Sequence, residues 1–159
     1  MSAEHVTYSY KALSGADVHL LRQLLDVFAL AFDDHEAYQG AVPGDAYLQA
    51  LLAKPHFIAL VALAGDQVVG GLAAYELEKF EQDRREIYIY DLAVDQAHRR
   101  RGIARALIAE LQRLASVRRA YVIYVQADRG DHPAIALYES LGVREDVHHF
   151  DIPVDAARQ

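Results

Sequence analysis

At 159 residues, 53% hydrophobic and 25% charged, the chain predicts one globular domain over 1–159, and no apolar run is long enough to cross a bilayer. Sixteen Lys and Arg against 23 Asp and Glu give a formal charge of −7, which argues against nucleic acid as the main partner and favours cations. With no cysteine, disulfides, thiolate metal sites and a cysteine nucleophile are excluded, and the lack of a basic-then-apolar leader predicts a cytoplasmic protein.

In chain order, Val6, Tyr8 and Tyr10 alternate with polar residues as in a half-buried strand. Val18, Leu21, Leu24, Leu25, Phe28 and Phe32 recur at helical spacing, with Ser14 or Asp17 placed to cap that helix. Residues 33–44 read as polar and irregular. Residues 45–53 read as a helix that ends before Lys54-Pro55, because a residue preceding proline is pushed out of helical angles. Residues 57–63 and 67–77 flank Gly65-Asp66 as the arms of an antiparallel hairpin, and Gly70-Gly71 in the second arm predicts a bulge or a close backbone approach. After a charged loop come a strand over 86–94, a helix over about 102–117, a strand over 121–127, a loop over 128–132, a helix over 133–141 stopped by Gly142, and a last strand over 147–153. The order β-α-α-β-β-β-α-β-α-β predicts an α/β fold, and the chain contains no internal repeat or linker.

The junction between the 86–94 strand and the helix that follows carries the densest chemistry. Arg99, Arg100, Arg101, Gly102, Ile103, Ala104 and Arg105 open a helix, whose N-terminus offers unpaired N–H groups and a positive dipole end to an anion. Taken alone, an arginine run opening a helix is more often a solvated surface feature. Three basic residues at that end oppose the dipole, however, which calls for a compensating anion. The dinucleotide fingerprint and the nucleotide P-loop are both missing. Acids gather instead at Asp33-Asp34-x-Glu36 and around Glu81, so an anionic and a cationic ligand side by side are expected in a protein of this charge.

These residues resemble the GNAT superfamily of N-acetyltransferases over nearly the whole chain. The run Asp91-Leu92-Ala93-Val94 followed by Arg99 to Ala104 is similar to that family's acetyl-CoA motif, and 133–143, with Tyr138 at its centre, is similar to its Ala-x-x-Leu-Tyr segment. Around 79–82, 86–94, 120–128 and 149–152 the likeness narrows to the aminoglycoside 3-N-acetyltransferases of the gentamicin-modifying type, which act in antibiotic resistance. The resemblance implies a mixed, mostly antiparallel central sheet with splayed central strands, flanked by helices, and acetyl-CoA as cosubstrate. It implies cofactor contacts from Leu92, Ala93 and Val94 to the pantetheine arm, from the arginine turn to the pyrophosphate, and from Asp131 and Ala134. Asp131 stands where the family often has Asn, and Val143 where it has Phe. A homodimer is also implied.

The implied reaction acetylates the 3-amine of a deoxystreptamine ring. A protonated amine has no lone pair, so a carboxylate must take its proton before it attacks. Asp91 is the first choice, with Glu86 and Tyr90 on the same strand as alternatives, and Tyr138 follows the family motif as the acid that protonates the leaving thiolate. Asp33, Asp34, Glu36, Glu81, Glu86, Tyr90, Asp128 and Asp151 are candidates for holding a cationic small-molecule amine. The histidines are dispersed, with His148 and His149 expected on opposite faces of the last strand, so no metal site is expected. An acetyltransferase for another polyamine or protein amine, and a non-catalytic acyl-CoA sensor, remain as alternatives.

Overall fold

The computed structural model describes residues 5–155. Five strands, β1 (Tyr8–Ala12), β2 (Phe57–Ala64), β3 (Gln67–Glu78), β4 (Arg85–Val94) and β5 (Ala120–Val125), form one sheet in the order β1-β2-β3-β4-β5. The first three pairings are antiparallel and β4 with β5 is parallel. A parallel pair needs a crossover, and α4 (Ile103–Val117) supplies it. The other helices are α1 (Val18–Ala31), α2 (His35–Gln39), α3 (Asp45–Ala53) and α5 (His132–Leu141). This is the expected α/β architecture with a mostly antiparallel mixed sheet. The chain divides into two compact units, one reaching Gln126 and the other starting at Ala127.

In the first unit, side-chain alternation along the strands gives the sheet two apolar faces. Phe57, Ala59, Val61, Val68 and Ala93 pack with Leu20, Leu21, Leu24 and Phe28 of α1 and Leu48 and Leu52 of α3. The intervening residues Ile58, Leu60, Leu72, Ala74, Ile87 and Ile89 are buried as well, and α4 packs on the sheet with its stripe of Ile103, Leu107 and Leu111. Gly71 allows α1 to press close: a Cβ there would stand 2.5 Å from both Leu24 Cδ1 and the Leu60 carbonyl oxygen. The close approach predicted for Gly70-Gly71 is therefore present, with a register shift opposite Ala62/Leu63.

Two features of β4 position the site. Ala73 pairs with Asp91 and Ala74 with Ile89, so Tyr90 is an extra, bulged residue. Alternation would put Tyr90 and Asp91 on opposite faces; the bulge resets the count and leaves Tyr88, Tyr90, Asp91 and Ala93 on the α1/α3 side. Beyond Ile89, β4 has no register partner on β5, so Tyr90–Val94 runs on as an open edge where the two strands splay.

Two local expectations differ from the structure. Within the polar stretch 33–44, α2 forms, capped by Asp34, whose Oδ1 accepts from Ala37 N at 3.1 Å. The strand expected over 147–153 is absent: among the described residues this segment joins no sheet, and Phe150 and Ile152 are 80% and 86% exposed. Alternation alone does not make a strand without a partner ladder. His148 and His149 consequently do not sit across a sheet, and short-range ties from Arg144 to Glu139 and Asp146, and from His149 to Asp151, link this segment instead.

Candidate active site

Asp91 sits at the centre of the site in the first unit. Tyr38 Oη donates to its Oδ1 at 3.0 Å. Burial holds the Asp91 carboxyl above its ordinary range, while the Tyr38 hydrogen bond works in the opposite direction. Tyrosines surround it. Tyr75 and Tyr90 meet edge to face at 6.1 Å, Tyr90 and Tyr88 at 5.8 Å, and Tyr88 stacks on Tyr124 at 4.8 Å. Burial raises the phenols of Tyr38, Tyr75 and Tyr88, and the negative charge of Asp91 adds to each. A carboxylate partly removed from water and beside protonated phenols has a higher proton affinity than a solvated one, which suits a proton acceptor.

The other acids fall into separate groups. Asp34 caps α2 and adds its charge to the field at Tyr38, so it belongs with Asp91. Glu36 lies exposed on α2, and Asp33 precedes that helix with φ at +49°. Glu86 stands five residues before Asp91, about 16 Å along an extended strand. Its carboxylate is engaged by Tyr121 and lies 3.8 Å from Lys79. Glu81 is 3.6 Å from Lys79 and 4.0 Å from Arg84, whose guanidinium rests over the Tyr121 ring at 3.8 Å. Glu81 and Glu86 thus belong to an ion-pair network and are less available than Asp91 to a cationic amine.

The arginine turn follows the open edge. Arg99 Nε donates to the Val94 carbonyl oxygen at 3.1 Å, and Arg101 Nη1 donates to Tyr8 Oη at 3.2 Å. Tyr8 Oη in turn lies 2.8 Å from Nδ1 of His98, so β1 holds the turn in place. Arg100 has φ of +62° and Gly102 has φ of +78°. A Cβ at Gly102 would meet nothing within 4 Å, so the glycine serves its backbone angle rather than crowding. No side-chain hydrogen bond caps α4, in contrast to α2. Together with the Leu92–Val94 edge, these residues fit a pantetheine pyrophosphate. A groove of about 370 Å³ bounded by Gln23, Asp26, Leu30, Asp95 and Arg99 borders the turn but is not lined by Asp91.

In the second unit, Asp131 Oδ1 accepts from Ala134 N at 3.3 Å, so these two predicted cofactor residues cap α5 together. Tyr138 lies on α5, its phenol pushed up by burial and then by the Asp131 carboxylate. Asp128 accepts from Asp131 N through its carbonyl oxygen, and Asp151 pairs with His149 at 2.9 Å. Among the described residues no group of three or more His, Asp or Glu is gathered for a metal ion, and no helix is long and apolar enough to cross a membrane. Tyr38, Tyr75, Tyr88 and Tyr124 escaped the sequence reading; the one available signal was the even spacing of Tyr88 and Tyr90 beside Asp91.

Residues 21–143 match the Acetyltransferase (GNAT) family, and the chain belongs to it. Enzymes of this family use acetyl-CoA. Among solved structures, the fold is similar to an aminoglycoside acetyltransferase, HMB0005, from an uncultured soil metagenomic sample, at 58% identity and a TM-score of 0.92 over 94% of this chain and 99% of that one. It is also similar to the aminoglycoside acetyltransferase meta-AAC0020, likewise from soil, in complex with sisomicin, at 31% identity and a TM-score of 0.87 over 93% and 97%. N-acetyltransferase family 8 member 2 of Rattus norvegicus is 30% identical over 90 residues, 57% of this chain and 40% of that protein. The chain thus matches about two fifths of the length of that curated relative.

Proposed function

We propose that this acetyltransferase transfers acetyl from acetyl-CoA to the 3-amino group of the deoxystreptamine ring of a gentamicin-like aminoglycoside. The observation that carries the reading is the 58% identity, over almost the whole of both chains, to an aminoglycoside acetyltransferase. The sisomicin complex of a more distant relative and the acidic balance of the chain support a polycationic substrate.

Bound acetyl-CoA supplies an activated acyl thioester. The N–H groups at residues 100–104 hold its pyrophosphate, and the Leu92–Val94 edge pairs with the pantetheine amides as an added strand does. Asp91 takes one proton from the substrate ammonium, which frees the nitrogen lone pair for the carbonyl carbon; the C–S bond breaks as the C–N bond forms, and the second nitrogen proton passes to water, which restores the proton that Tyr138 gives up. Tyr138 returns a proton to the sulfur, a role open to a phenol that stays protonated at neutral pH. Oriented reactants gain roughly 7–11 kcal/mol over free collision. Asp34 and Tyr90 join Asp91 in receiving the substrate, with Asp33, Glu36, Asp128 and Asp151 as further acidic candidates. The working unit in this reading is residues 1–159 as one domain, paired as a cytoplasmic homodimer.

The test is thiol release from acetyl-CoA with gentamicin, kanamycin, spermidine and a peptide as acceptors, followed by NMR mapping of the product. Release with gentamicin and an acetyl group on the 3-nitrogen are expected. Release only with spermidine or peptide moves the enzyme to another amine class, and binding of acetyl-CoA without release under any acceptor makes it a sensor.

A further inference from the structure

We propose that Tyr38 is a positioning residue: by donating its hydroxyl proton to Oδ1 of Asp91, it fixes that carboxylate and leaves Oδ2 as the oxygen that takes the proton from the substrate ammonium. The inference rests on the reading of Asp91 as the base. Three observations carry it. The contact is a direct hydrogen bond of 3.0 Å between α2 and β4, residues 53 apart in the chain. The Tyr38 ring is held against Phe28 at 5.7 Å and Phe32 at 5.8 Å, so α1 aims the hydroxyl. The bulge at Tyr90 turns Asp91 toward α2, without which the two groups would lie on opposite sides of the sheet.

Asp91 is faced by a defined set of ionisable groups. Tyr38 of α2, Tyr75 of β3 and Tyr88 of its own strand feel its charge; Asp34, the N-cap of α2, and Tyr90 act on Tyr38, and Tyr47 of α3 acts on Tyr75. Phe28 of α1 and Phe32, its C-cap, pack their apolar rings against Tyr38. Tyr38 alone has a hydrogen bond to the carboxylate among the described residues. It favours the ionised form, against a burial that disfavours it. Its removal raises the proton affinity of Asp91, and a purely structural role for the ring does not.

The experiment is the pH profile of kcat/KM for wild type, Tyr38→Phe and Asp91→Asn, alongside the ¹³C titration of the Asp91 carboxyl in the protein without substrates. Tyr38→Phe keeps the ring between Phe28 and Phe32, and circular dichroism checks the fold. The expected result is an acid limb and a carboxyl titration that both move up by about one pH unit in Tyr38→Phe, the scale of one hydrogen bond to a charged group. Substituting 3-fluorotyrosine at 38, a stronger donor of the same shape, moves both the other way. A carboxyl titration unchanged by both substitutions overturns the role of Tyr38. Turnover of Asp91→Asn equal to wild type across the pH range overturns the base reading itself and with it this inference, whatever the carboxyl titration shows.

Discussion

Asp91 pays for its position: a carboxyl whose proton affinity is raised by burial makes the ionised folded state less stable than it would be with a neutral group there. The sign follows from the direction of the shift. A raised carboxyl contributes its stability below the unfolded-state value and loses it as pH rises through the folded-state value. Asp91→Asn therefore raises the melting temperature near neutral pH, with the gain shrinking as pH falls through the carboxylate range, and thermal melts from pH 4 to 8 check it. The same substitution lowers turnover, with partial recovery at higher pH where more of the free amine is neutral. Tyr138→Phe is expected to lower turnover about 10²–10⁴-fold with little change in acetyl-CoA affinity, measured by steady-state kinetics and calorimetry. Asp91 was legible in the sequence because it lies near the end of a strand, just ahead of the arginine turn. Tyr38 was not, since a hydrogen bond across 53 residues leaves no local signature.

Elements with strong local signals came through from sequence to structure. The Gly65-Asp66 turn carries a positive φ of +61° at Gly65, and α3 stops at Lys54 with ψ of 133°, as a residue before proline requires. The arginine turn precedes α4 as expected, and Arg99 and Arg101, both exposed, also reach back to Val94 and Tyr8. The elements misjudged were those decided by partners. Helix α2 spans five residues and depends on its Asp34 cap and on α1, and the 147–153 segment has strand periodicity but no ladder. Gly102→Ala puts the α4 turn to the test. An alanine at φ of +78° costs roughly 1–2 kcal/mol. The expected readout is a raised KM for acetyl-CoA with a small drop in melting temperature; an unchanged KM would remove the turn from cofactor binding.

Across the whole molecule, the negative balance of charge is arranged so that few acids are buried. Asp17 is the exception among the described residues, 5% exposed. Burial opposes its ionisation, but Lys11 Nζ at 2.8 Å and the Ser14 backbone N–H and hydroxyl outweigh it and hold the carboxyl below its ordinary range. A depressed carboxyl contributes stability above its unfolded-state value and loses it as pH falls through the lower, folded-state one. Asp17→Asn should cost about 1.5–3 kcal/mol at neutral pH and flatten the acid side of the stability curve, measured by urea unfolding from pH 2 to 7. An equal cost at every pH would make the residue a packing element only. The fold class, the hairpin and the arginine turn could be read from composition and spacing; the bulge that selects the working face of β4 could not, because one extra residue in a ladder shows only when the partner strand is in place.

The tie from Arg101 to Tyr8 spans 93 residues, and the tie from Tyr8 to His98 spans 90. Contacts of such separation close late, since the entropy of a long loop is lost before the contact forms. During synthesis the N-terminal strand emerges first yet cannot complete this tie until the arginine turn follows it. The arginine turn is therefore among the last parts of the first unit to mature, and a nascent chain stalled before Arg101 lacks it altogether.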